Sequence, residues 1–123
     1  MAKTRKNLGN WGENKAEEYL IKKNFMILAR NFRTAFGEID IIAEKNGRTT
    51  FVEVKTRTNN RFGNPEDSVN KPKKTKLIES AMAYMQEHPE LGDSWQIDVI
   101  AIYKETSVKF EVLHFPNAMD GNE

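Results

Sequence analysis

The stretch from Glu38 to Lys55, EIDIIAEKNGRTTFVEVK, decides how this chain is read. Two apolar segments, Glu38 to Ala43 and Thr49 to Lys55, flank Asn46-Gly47. That dipeptide tolerates the two positive φ angles of a type I′ turn, so the stretch is predicted to be a β-hairpin. A two-residue turn places Lys45 opposite Arg48, and each cross-strand pair then has residue numbers totalling 93. Asp40 consequently faces Glu53, and Glu38 faces Lys55. Strand side chains alternate with period two, so all four charged groups are expected on one face of the sheet, beside Ile42 and Phe51.

Two carboxylates directly opposite repel one another unless something neutralises them. A hard divalent cation does so: Mg²⁺ takes oxygen ligands, accepts one or two carboxylates and leaves room for water and substrate phosphate. Lys55, two residues beyond Glu53 on the same face, is placed to hold an attacking water or to stabilise charge developing on phosphorus. Asp40, Glu53 and Lys55 are therefore candidate catalytic residues, with Asp40 and Glu53 the candidate ligands for Mg²⁺ or Mn²⁺. The other reading is a cross-strand Glu38–Lys55 ion pair, with Asp40 and Glu53 as solvated residues of an exposed face.

Outward from the hairpin, Asn10 is expected to cap a helix running to about Asn24, with Glu13 as its capping-box partner and Ala16, Tyr19 and Leu20 as its apolar stripe. Glu13 shares the direction of Ala16 and Leu20, which makes it a candidate site residue as well. Phe25 to Phe32 suits a first strand. Thr58 to Val69, with Gly63 and Pro65, reads as a long loop, and Asn70 and Pro72 mark a second helix whose apolar face is Leu77, Ile78, Ala81, Tyr84 and Met85 and which ends at His88-Pro89. Strands over Trp95 to Tyr103 and Ser107 to Phe115 follow. The order α-β-β-β-α-β-β predicts an α/β (α+β) fold with a mixed central sheet and a helix for each face. At 123 residues the chain has the size of one domain, with residues 1–8 expected as a flexible basic arm and 117–123 as a flexible tail.

The chain has no cysteine, which excludes disulfides, zinc–thiolate sites and a thiol nucleophile, and His88 and His114 stand in no metal-ligand spacing. No apolar run approaches membrane-spanning length, so a soluble, cytoplasmic protein is expected. Net charge is only +1, yet Lys55, Arg57, Arg61, Lys71, Lys73, Lys74 and Lys76 stand against Glu66 and Asp67 alone between residues 55 and 76. That local excess suits a polyanion, and Arg57, Arg61, Lys71, Lys73, Lys74 and Lys76 are candidate nucleic-acid contacts. Arg30 and Arg33 are read as surface ion-pair partners, Asp98 as a buried hydrogen-bonding residue, Trp11 and Trp95 as core, and Phe62 as the aromatic best placed to stack on a base.

Gly37-Glu38-Ile39-Asp40 followed by Phe51-Val52-Glu53-Val54-Lys55-Thr56-Arg57 resembles the core of the PD-(D/E)XK nuclease superfamily, with Ile-Asp in place of the literal Pro-Asp. A longer likeness, to the bacterial YraN family (uncharacterised protein family 0102), takes in Gly12-Glu13, Ala16, Tyr19-Leu20, the run Ile27 to Arg33, the two core strands, Pro65, Val69, Lys73, Leu77 and Asp98-Val99. The resemblance implies a restriction-endonuclease-like core similar to Holliday junction resolvases, Asp40 and Glu53 as metal ligands, Lys55 as the catalytic lysine, and Glu13 as a further acid. The first functional reading is accordingly a Mg²⁺- or Mn²⁺-dependent endonuclease acting on DNA, with a branched or damaged structure as candidate substrate and a homodimer required where a junction is to be cut by two sites. The competing readings are a non-catalytic nucleic-acid-binding module and a protein-interaction scaffold.

Overall fold

The computed structural model describes residues 5–58 and 71–118. Its elements are α1 (Arg5–Lys22), β1 (Met26–Thr34), β2 (Gly37–Lys45), β3 (Arg48–Arg57), α2 (Lys71–Glu87), β4 (Trp95–Lys104) and β5 (Phe110–Phe115), with a short 3₁₀ turn at Pro89–Leu91. The α-β-β-β-α-β-β order and the mixed sheet are as the sequence predicts. The five strands lie in the order β1-β2-β3-β4-β5. The β3–β4 pair alone is parallel, joined through α2, and its neighbours are antiparallel. Among the described residues no helix is long and apolar enough to cross a membrane.

The Asn-Gly turn forms as expected, with φ of 55° at Asn46 and 79° at Gly47. Its register follows: Lys45 pairs with Arg48, Ile42 with Phe51 and Ile41 with Val52. There the β2–β3 ladder ends. Beyond Ile41 the β2 strand keeps its pairing with β1 but no longer pairs with β3. Asn31, on β1 between the residues paired with Ile41 and Ile39, has a φ of 51°. Facing changes at the same level, because Ile39 joins Ile42 in one core cluster while Ile41 and Ala43 belong to the other. Strict alternation, which puts Ile39 and Ile42 on opposite faces, therefore fails around Asp40.

Each face of the sheet carries one helix. Leu77, Ala81, Tyr84 and Met85 of α2 cover Ile39, Ile42, Phe51, Ile97 and Val99. Ala16 and Leu20 of α1 cover Ile41, Ala43, Val52, Ile100 and Ile102. Each fully buried Ile, Leu or Phe contributes roughly 1.5–3 kcal/mol, so the two apolar layers fix which edge of each helix meets the sheet. Gly12 sets the closest approach of α1: a Cβ there would overlap Thr56 Oγ1 on β3.

Three boundaries differ from expectation. The first helix begins at Arg5, so Asn10 lies inside it and cannot serve as its cap, and residues 5–8 are helical. Its end is a Schellman motif, with Asn24 at a φ of 73° and the Phe25 N–H bonded to the Leu20 carbonyl at 3.0 Å. The last strand starts at Phe110, because Thr106 Oγ1 accepts the Val108 and Lys109 N–H groups and folds Ser107 to Lys109 into a turn. The long loop, apart from Thr58, lies outside the described residues, as do Phe62, Arg61 and Asn70.

Candidate functional site

Asp40 stands where β2 leaves β3. Its Oδ2 accepts the Val54 N–H at 2.8 Å, a side-chain bond at a level where the strand-to-strand ladder has already stopped. The parting strands open a cavity of about 550 Å³ lined by Asp40, Glu53, Lys55, Arg57, Lys73 and Glu13, together with Leu8, Gly9, Val54, Thr56 and Thr58. Both helices reach it, α1 with Glu13 and α2 with Lys73.

The charges are arranged around Glu53. Its side chain is almost fully buried, and Oε2 meets Lys55 Nζ at 3.1 Å and pairs with Lys73 Nζ as well. The sequence-based alternative, a Glu38–Lys55 ion pair, does not form: Lys55 lies along β3 against Glu53, and Glu38 sits on β2 beyond the end of the ladder, opposite Arg33 in the β1–β2 backbone register. Lys73 in the first turn of α2 faces an unfavourable helix dipole, which the Glu53 carboxylate offsets.

Burial and the Glu53 charge push the Asp40 carboxyl up to about 7; Glu13 adds to the rise, while the Val54 N–H and Lys73 oppose it. Burial and the hydrogen bond from Lys73 lower the pKa of Lys55, against the pull of Glu53. Burial acts to lower Lys73 too, but its contacts with Glu53 and Lys55 outweigh it and leave that ammonium raised.

Glu13 cannot close a capping box, since its helix starts upstream. Its Oε1 instead accepts from Arg30 Nη2 at 3.1 Å, and Arg30 also reaches Glu17 at 3.1 Å and Asn14 at 2.7 Å. Arg30 is thus an ion-pair partner, as expected, but of the helix that brings Glu13 to the cavity. Among the described residues no group of three or more His, Asp and Glu is gathered to enclose a metal ion. The donor set that fits a divalent cation is the Asp40 and Glu53 pair, with remaining positions open to water and substrate oxygen, which suits Mg²⁺ better than an all-protein cage.

The basic residues divide. Arg57 and Lys73 line the cavity, and Lys76 lines a second, smaller one adjoining it. Lys74, one residue from Lys73 on the helix, lines neither. Of Lys71 only the backbone is described, and Arg61 lies outside the described residues.

Sequence reasoning missed two features. Ser80, buried on α2, hydrogen-bonds Thr34 Oγ1 at 2.8 Å and ties the β1–β2 turn to that helix. His114, which stands in no metal-ligand spacing, bridges Asp98 Oδ2 at 2.7 Å and the Tyr19 hydroxyl at 3.1 Å. The buried Asp98 also accepts from Gln96 Nε2 and the Asn117 N–H, which gives it the hydrogen-bonded structural role expected of it. Trp11 packs edge-on against Phe110, and Trp95 against Phe51, so both tryptophans are structural.

The model of a family described as "Uncharacterised protein family UPF0102" matches residues 12–102. That span runs from the close-packed Gly12 through both strands of the cavity and α2 to Ile102. Similar curated proteins, each called a UPF0102 protein, occur in Syntrophomonas wolfei (42% identical, covering 92% of this chain and 97% of that one) and Persephonella marina (41% identical, 91% and 92%). A third, from Caldicellulosiruptor saccharolyticus, is 40% identical over 89% of this chain and 91% of its own. The chain belongs to this bacterial family, UPF0102.

Proposed function

We propose that this chain is a Mg²⁺- or Mn²⁺-dependent endonuclease of the PD-(D/E)XK type that hydrolyses phosphodiester bonds in DNA, with branched or damaged DNA as the favoured substrate. The observation that carries the reading is Asp40 and Glu53 lining one cavity where two strands part, with Lys55 against Glu53. A bound divalent cation supplies a Lewis acid for the phosphoryl oxygen and a more acidic water. Asp40 and Glu53 would hold that ion. Lys55 Nζ orients the water and offsets charge on the non-bridging oxygens as the bond to phosphorus forms. Glu13, anchored by Arg30, keeps a further acceptor at the cavity wall for the water. Arg57, Lys73 and Lys76 meet the flanking phosphates.

A second reading, a nucleic-acid-binding module without catalysis, is favoured by one observation: two lysines already neutralise Glu53 internally. The discriminating experiment incubates the full chain with end-labelled single-stranded, duplex, flap and four-way-junction DNA, with and without Mn²⁺, beside Asp40→Asn. Cleavage that needs Mn²⁺ and vanishes in the variant supports the enzyme. Tight binding of these DNAs without any cleavage supports the module.

A further inference from the structure

Between β1 and β2 the chain turns at Ala35-Phe36, and the Thr34 hydroxyl fastens this turn. The Thr34 hydroxyl donates to the Gly37 carbonyl at 3.0 Å, accepts the Phe36 N–H at 3.0 Å and shares a 2.8 Å hydrogen bond with the buried Ser80 of α2. Gly37 follows at a φ of 149°, a backbone state that favours glycine. The backbone is held, yet Phe36 remains 44% exposed. Among the exposed large apolar side chains of the described residues, Ile21, Met26, Phe36, Met82 and Val108, it is the sole aromatic.

Beside the ring is a cavity of about 180 Å³ lined by Phe36, Gly37, Glu38, Lys73, Lys76, Leu77 and Ser80. It holds several times the ~30 Å³ share of one water and is smaller than the roughly 300 Å³ lower bound of drug-sized sites. A single flat ring is the scale it suits. Leu77 and Phe36 supply apolar walls, Glu38 an acceptor, and Lys73 and Lys76 the positive rim. Lys73 also lines the larger cavity with Asp40 and Glu53, so the two spaces adjoin.

We propose that this small cavity is a stacking subsite for one unpaired nucleobase, with Phe36 as its platform. The inference rests on the nucleic-acid reading above and narrows its substrate class to strands with an unpaired nucleotide next to the phosphate held at Asp40 and Glu53. A phosphate is a poor occupant, because an apolar wall and the Glu38 carboxylate oppose it. A base is a good one: its face lies on the Phe36 ring, its exocyclic amino group can donate to Glu38, and the phosphates on either side of it meet Lys73 and Lys76. A paired base cannot enter while it stays in its duplex, since reaching the pocket requires leaving the stack.

The test uses the full chain in EDTA, so that binding is read without cleavage, with fluorescein-labelled single-stranded and blunt duplex oligonucleotides of one sequence. Wild type should bind the single strand more tightly. Phe36→Ala should weaken that binding roughly tenfold, as loss of one base–aromatic stack does, with duplex binding unchanged, and Phe36→Trp should retain it. An oligonucleotide containing 2-aminopurine should show fluorescence quenching with wild type that Phe36→Ala abolishes. Thermal melting checks that both variants fold. Equal loss of single-strand and duplex binding in Phe36→Ala, or no loss of either, overturns the subsite while leaving metal-dependent cleavage to stand on its own assay. Failure of wild type to bind either oligonucleotide overturns the subsite and the nucleic-acid reading together.

Discussion

The Asp40 carboxylate and the Val54 N–H meet at 2.8 Å across the gap that opens when β2 departs from β3. This one bond holds an acid in the mouth of the cavity, against Glu53, at a depth where burial already disfavours its charge. The strand donor is satisfied by a side chain, and that side chain lines the cavity together with Glu53.

Asp40 therefore makes the metal-free protein sensitive to pH. With its folded pKa raised to about 7 from an ordinary value of 3.8, the folded protein keeps a proton between about pH 4 and 7 that the unfolded chain has lost. The stabilisation from that proton is present in full below about pH 4 and is lost as pH rises to 7. Asp40→Asn keeps an oxygen for the Val54 N–H and removes the titration. In EDTA the variant should melt higher than wild type by several degrees at pH 8, with the gap narrowing as pH falls toward 4. Parallel melting curves across pH 5–9 would show that Asp40 is an ordinary solvated acid.

Gly12 offers a test of how closely α1 must sit for Glu13 to reach the cavity. Any Cβ there meets Thr56 Oγ1, so Gly12→Ala must push helix and strand apart or turn the threonine, at a cost of roughly 1–3 kcal/mol. Thr56→Ala removes the obstructing hydroxyl, and the double variant should recover most of the loss. Additive destabilisation in that cycle, read by urea unfolding, would mean that the contact is not the reason for glycine.

The basic residues of α2 should separate by position. Lys76 lines the smaller cavity and Lys74 neither, so Lys76→Ala should lower the slope of log K against log salt for DNA by about 0.7–0.9, one phosphate contact, while Lys74→Ala leaves it nearly unchanged. Anisotropy titrations between 50 and 200 mM salt, conditions in the ordinary range for such measurements, read both. Equal slopes for the two variants would place the DNA path elsewhere.

What the sequence discloses and what it conceals follow from how local each signal is. Asn46-Gly47 specifies its turn by backbone geometry alone, so the hairpin, its register to Ile41–Val52 and the neighbourhood of Asp40 and Glu53 are all legible. The end of the ladder one pair later is not legible, because it coincides with a positive φ at Asn31 on β1, which no pattern within β2 or β3 announces. Glu13 is misread as a cap because the polar run Arg5 to Asn10 carries little apolar periodicity, although helix forms through it. Lys73 is visible as one of a local run of basic residues, but its partner, twenty residues away on β3, comes from the fold. The Phe36 platform and the His114 bridge depend on contacts from α2, β4 and α1 that no local pattern announces.

Glu53 supplies the last test, because two lysines share one of its oxygens and a divalent cation must compete with them. Lys73→Met removes a competing charge, so it should tighten Mn²⁺ binding several-fold by calorimetry. The same change leaves a buried carboxylate with one partner fewer and should lower apo stability by about 1–3 kcal/mol. Opposite signs in the two measurements distinguish competition from general damage. Lys55→Ala should also bind Mn²⁺ no more weakly than wild type, yet lose any Mn²⁺-dependent cleavage, since its ammonium acts on the reacting phosphate and not on the ion. Asp40→Asn should lose Mn²⁺ affinity and with it the Mn²⁺-induced rise in melting temperature. An Asp40→Asn protein that binds Mn²⁺ as wild type does, or a Lys73→Met protein that binds it less well, removes the carboxylate pair as the seat of the metal, whatever the DNA assays show.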